Sequence, residues 1–137
     1  MNKEFEVIKQ DYMNAGKVSS QIKKILLSLG VDNKVVRRIA IASYEAEINM
    51  IIHAYGGKIY FSIDDDGTIA ITFKDVGPGI PDLEKAMTPG WSTADKKARE
   101  LGFGAGMGLV NIERVSDTFN IESSPAGTII AITFNAE

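Results

Sequence analysis

The sequence predicts an α+β fold, a two-layer α/β sandwich in which a mixed, mostly antiparallel sheet is covered by helices on one face. Three observations lead there. Two long stretches repeat apolar residues at helical spacing, two runs alternate polar and apolar residues on either side of an Asp-Asp-Gly turn, and the chain ends in the order helix, strand, turn, strand.

The first strand is expected over residues 4–12, after which Asn14 would cap a helix over 15–29 that carries Val18, Ile22, Ile25, Leu26 and Leu29. Gly30 ends it. A longer helix over 32–54 has apolar residues on several sides, among them Val35, Val36, Ile39, Ile48, Ile51 and Ile52, and should lie largely buried. Gly56-Gly57 turns the chain, and strands over 58–64 and 68–75 pair through the hairpin signal Asp65-Asp66-Gly67. From Val76 to Phe103 Gly, Pro and charge break the pattern, apart from a short helix expected over 83–87. A stretch this long and irregular is more typical of a functional lid than of a passive connection. A helix over 107–116, a strand over 119–123, the turn Pro125-Ala126-Gly127 and a strand over 128–134 complete the chain.

A chain of 137 residues suits one domain over 1–137, burying about two-thirds of its unfolded surface. With 45% hydrophobic and 24% charged residues it reads as globular. A formal charge of −3 offers no electrostatic attraction for nucleic acid. Cysteine is absent, which excludes thiol catalysis and disulfides, and the single His53 cannot build a multi-histidine metal site. No apolar run reaches the ~18 residues of a membrane span and the N-terminus lacks a signal-peptide core, so a cytoplasmic location without membrane contact is expected.

Three stretches carry the chemistry. Gly102, Gly104, Gly106 and Gly108 alternate along 102–108 just before the last helix, at a cost of roughly 0.5–1 kcal/mol each against alanine in a regular element. Such a backbone invites a close ligand, and amides at a helix N-terminus suit a phosphate. The spacing is neither a P-loop nor G-x-G-x-x-G. Glu45, Asn49 and His53 recur every four residues on one face of the long helix, where a carboxylate and an amide need partners. Asp75-Val76-Gly77-Pro78-Gly79 closes the third strand, with an aspartate able to accept from a ligand amino group and glycines that let a flat ring approach.

In this order the motifs resemble the GHKL ATPase family, whose pocket is the Bergerat ATP-binding fold, over nearly the whole chain from about residue 10. Segment 90–109 is similar above all to small anti-sigma-factor serine/threonine kinases, and among them to the switch kinase of the stress-sensing complex. The resemblance implies ATP and Mg²⁺ as cofactors, with Asn49 as the metal ligand and Glu45 as the base that orients or deprotonates a substrate hydroxyl. It implies that Asp75 accepts from the adenine amino group beside Gly77 and Gly79, supported by Thr128. Gly102, Gly104, Gly106, Met107, Gly108 and Leu109 would hold the phosphates, with Thr93 and Arg99 reaching them from the lid.

The implied function is phosphorylation of a small STAS-type antagonist protein in a sigma-factor partner-switching pathway, with a sigma factor or a downstream phosphatase as further partners. The alternative is an ATP-bound anti-sigma factor or binding module with little kinase turnover. A histidine-kinase half is disfavoured because no helical pair with a phosphoacceptor histidine precedes the domain, and a topoisomerase-like or chaperone-like ATPase because no transducer domain follows. An exposed first strand leaves a homodimer open.

Overall fold

The computed structural model describes residues 1–80, 87 and 108–135. Strand β1 (Asn2–Val7) is followed by a single 3-10 turn (Tyr12–Asn14), helices α1 (Lys17–Ser28) and α2 (Asn33–His53), and the hairpin β2 (Gly57–Ile63) and β3 (Thr68–Asp75). Helix α3 (Gly108–Val115) then leads into β4 (Thr118–Ser124) and β5 (Gly127–Asn135). The sheet runs β1-β2-β3-β5-β4. Every described pairing is antiparallel, so the expected admixture of parallel strands is absent from the described residues.

Alternation decides which face is covered. Ile59 and Phe61 of β2, Ile69, Ile71 and Phe73 of β3, and Ile130, Ile132 and Phe134 of β5 join one buried cluster with Ile39, Ala42, Ala46 and Met50 of α2. The residues between them, such as Lys58, Tyr60 and Lys74, are exposed on the other face. Helix α2 is the central helix: it packs against α1 on one flank and α3 on the other and touches β1, β3 and β5. Its expected burial is met by ten buried residues, and Asp32 caps it by accepting from the Lys34 amide at 2.8 Å.

The entry to α1 departs from expectation in two ways. Strand β1 ends at Val7, which pairs with Gly57, the first residue of β2; beyond it the ladder has no partner. The chain instead crosses the end of α2, where Gln10, at φ 57°, donates its amide to the Ile51 carbonyl at 3.1 Å. Asn14 is not the cap of α1; its side chain donates to the Asp11 carboxylate at 2.9 Å. Helix α1 begins after Gly16 at φ 90° and carries no side-chain cap of its own.

That function passes to Glu47 of α2. Its carboxylate, on a residue only 2% exposed, accepts from the amides of Gly16 at 3.1 Å, Val18 at 3.3 Å and Ser19 at 2.9 Å. A buried carboxylate is tolerable where several donors and the positive end of a helix dipole meet it. Burial still pushes its pKa up, against the pull of those amides. On the opposite flank Arg38 of α2 donates to the Val115 carbonyl at the end of α3 at 2.9 Å and to Asp117 at 2.7 Å. Asp117 in turn accepts from the Asn135 amide at 2.7 Å.

Candidate functional site

Asp75 closes β3 at the middle of the sheet, and its Oδ1 accepts from the Thr128 amide of β5 at 2.8 Å. Asp75 is half-buried, and among the described residues this amide is its one hydrogen-bond donor. Burial raises the Asp75 pKa and the Thr128 amide opposes that rise. Thr128 is 5% exposed, and its hydroxyl meets the Ser123 hydroxyl at 2.9 Å. Ser123 also accepts from the Ile80 amide at 2.7 Å, so the chain leaving β3 is held against β4.

Backbone crowding shapes the same end. A Cβ on Gly127, which sits at φ 150°, would strike the Asp75 carbonyl; one on Gly77 would come 2.5 Å from the Pro125 carbonyl oxygen, and one on Gly79 would strike that of Ser124. Gly77 donates its amide to Ala126 at 2.7 Å. These glycines permit strand-end and turn backbones to touch, leaving Asp75 at the rim of a tightly closed corner.

Glu45 and Asn49 lie half-buried one turn apart on α2, and α3 begins directly over them. A Cβ on Gly108 would lie 3.2 Å from Asn49 Oδ1 and 3.3 Å from Glu45 Oε2. A carboxylate, an amide oxygen and the first turn of a helix thus converge on one spot. Burial raises the Glu45 pKa, and a hydrogen bond from the Asn111 side chain favours its charged form. Asn111 in turn accepts from Arg114, making a short polar chain along α3. Leu109 is buried in the core, so its side chain anchors α3 while its backbone stays in the first turn.

The structure therefore brings Glu45, Asn49, Gly108 and Leu109 together, and separately Asp75, Gly77, Gly79 and Thr128. Thr93, Arg99, Gly102, Gly104, Gly106 and Met107 lie outside the described residues, as do the lid cations Lys96 and Lys97 and all but Met87 of the short helix expected over 83–87. His53 is the last residue of α2, half-buried. Sequence reasoning missed Asn111, Ser123 and Glu47. The first is a polar residue one turn beyond Gly108, but only the seating of α3 over α2 brings it to Glu45; the second needed the Ser123–Thr128 register and the third a contact 28 residues away.

As chemistry, an amide oxygen beside a carboxylate at a helix N-terminus fits a hard cation and the phosphates that accompany it, since both prefer oxygen ligands and backbone amides. Asp75 fits a ligand amino group. No trio of His, Cys, Asp and Glu able to cage a metal by themselves occurs among the described residues, so such a cation would need ligand oxygens.

A five-stranded antiparallel sheet with helices on one face and a polar site between two of those helices makes this a two-layer α+β domain. The family model described as Histidine kinase-like ATPase domain matches residues 8–134, and the chain belongs to that family. Curated relatives include the anti-sigma F factor of Heyndrickxia coagulans, 41% identical over 64% of this chain and 61% of that protein. The anti-sigma F factor of Bacillus subtilis is 39% identical over 65% of this chain and 62% of the relative. The match thus spans about three fifths of the length of these relatives.

Among solved structures, the RsbU and RsbW domains of a Mycobacterium tuberculosis protein superpose with a TM-score of 0.65 at 18% identity, covering 97% of this chain and 32% of that one. The SiaB-SiaC complex of Pseudomonas aeruginosa gives 0.59 at 13% identity, covering 96% and 88%. At these identities the likeness is one of fold. ATP binding follows from the domain family. No helix among the described residues is long and apolar enough to cross a membrane.

Proposed function

We propose that this chain is an ATP- and Mg²⁺-dependent protein serine/threonine kinase that phosphorylates a small STAS-type antagonist in a sigma-factor partner-switching pathway. The observation that carries this reading is the convergence of Glu45, Asn49 and the first residue of α3 on one spot. Asp75 would accept from the adenine amino group, with Gly77, Gly79 and Thr128 shaping that edge. Gly102, Gly104, Gly106, Met107, Gly108 and Leu109 would bind phosphate oxygens, joined by Thr93 and Arg99. Asn49 would hold Mg²⁺ through its side-chain oxygen, and the ion would neutralise charge on the phosphates.

Glu45 would orient the acceptor hydroxyl and take its proton during in-line attack. Its raised pKa suits a base. The single domain would act in the cytoplasm, without nucleic acid or membrane, and a sigma factor or a downstream phosphatase would be its other partners. A second reading is favoured by the relatives' name, anti-sigma F factor: sequestration of a protein by the ATP-bound form with little turnover.

Transfer of labelled γ-phosphate to STAS-type proteins of the same organism decides between them. We expect labelling of a serine or threonine that Glu45→Ala lowers at least 100-fold with ATP affinity retained, and loss of ATP affinity in Asp75→Asn. Tight ATP binding with no transfer would select sequestration, and absence of ATP binding would refute both.

A further inference from the structure

Outside the convergence of α2 and α3, Glu45 also borders a second concavity. A groove of about 550 Å³ runs between α1 and α2, and Glu45 stands at its end. Arg37, Ile41 and Glu45 follow at four-residue intervals on α2, with Tyr44 beside them, so the stripe extends about 12 Å along the helix. Lys23 and Leu27, one turn apart on α1, form the facing wall. The floor is apolar and open: Leu27 is 46% exposed, Ile41 41% and Tyr44 38%. Three large apolar side chains left in water beside one another mark a surface that gains by being covered.

Charge says by what. The chain carries a net −3, yet the charged residues of the groove are Lys23 and Arg37, with Glu45 the single carboxylate at the far end. Lys24 and Lys34 are exposed on the same two helices. The local field is opposite in sign to that of the whole chain and selects an acidic partner. Approach geometry agrees. The spot between Glu45, Asn49 and Gly108 is where the phosphates would lie, so a hydroxyl on a protein must reach Glu45 from another side, and the groove leads to Glu45 on the α1 side of the helix.

We infer that the α1–α2 groove is the docking surface for the acceptor protein, which lays an acidic, amphipathic surface helix along Ile41 and Tyr44 and so delivers its hydroxyl to Glu45. This rests on the kinase reading above. Lys23 and Arg37 pair with carboxylates of the incoming helix, and Leu27, Ile41 and Tyr44 cover its apolar side. The arrangement places the recognition of the protein substrate on a surface separate from the residues that bind nucleotide.

The chain has no cysteine, so Ile41→Cys creates a single thiol in the middle of the groove. Its reaction with a maleimide is followed for the full chain alone, with ATP and Mg²⁺, and with each STAS-type protein of the same organism added. We expect fast labelling in the first two conditions and at least fivefold slowing by the acceptor protein. In parallel, Lys23→Glu/Arg37→Glu should raise the acceptor KM at least tenfold while the ATP Kd moves less than twofold. Transfer to an acceptor that neither slows labelling nor loses affinity for the charge-reversed variant would overturn the docking surface and leave the kinase reading standing.

Slow labelling of the chain alone at high dilution would mean that its own residues cover the groove, and slowing that deepens with its concentration would mean a second copy does; either overturns the inference, as does protection by no STAS-type protein. Protection without transfer would keep the surface and remove the kinase reading.

Discussion

Glu47 stands two residues from Glu45 and two from Asn49, and faces away from both. Three amides of α1 depend on it. Glu47→Ala would leave them without an acceptor at a cost of about 1–3 kcal/mol, read as a lower urea midpoint. The pH dependence has a definite sign. Burial raises the Glu47 pKa in the folded chain, so the folded state holds that proton more tightly than the unfolded one. Its contribution to stability is full below the ordinary glutamate value of about 4.3 and is lost as pH rises through the folded value. Glu47→Gln keeps an acceptor but does not titrate; its urea midpoint should gain on wild type as pH climbs through that window, and a constant difference would refute the linkage. Nothing in the sequence marks this residue, because its partners are backbone groups of another helix.

At the level of elements, periodicity located the helices and strands well, since each buries one face in the same core. It failed where a segment is set by a distant contact. The expected strand over 4–12 stops at Val7 because β2 begins at Gly57, and the expected Asn14 cap gives way to Glu47. The candidate site was half legible: Glu45, Asn49 and Asp75 stand out as polar residues in apolar elements, whereas Asn111 lies on a short helix whose orientation over α2 is a tertiary fact. That orientation is held at its far end by Arg38. Arg38→Ala should speed amide hydrogen exchange in the last turn of α3 by about fivefold, a local loss of about 1 kcal/mol, modest because the guanidinium side chain is 38% exposed. Unchanged exchange would mean that Leu109 and Ile112 suffice to seat the helix.

For the molecule as a whole, the strand bearing Asp75 lies at the centre of the sheet and the edges are β1 and β4. Phe73, 1% exposed, is flanked by Ile59 and Ile130 in neighbouring strands and faces the helices. Phe73→Ala should cost about 3–5 kcal/mol, a large share of the roughly 5–15 kcal/mol that holds a domain together. Chemical denaturation measures it, and a loss below about 1 kcal/mol would mean the layers close over the gap. Helix α2 meets both other helices, and its residues 45, 47 and 49 alternate between them. The same turn of backbone is thus shared property: a substitution that unwinds it to reshape the Glu45–Asn49 side also withdraws Glu47 from the three amides that open α1, so neither flank can be redesigned without the other.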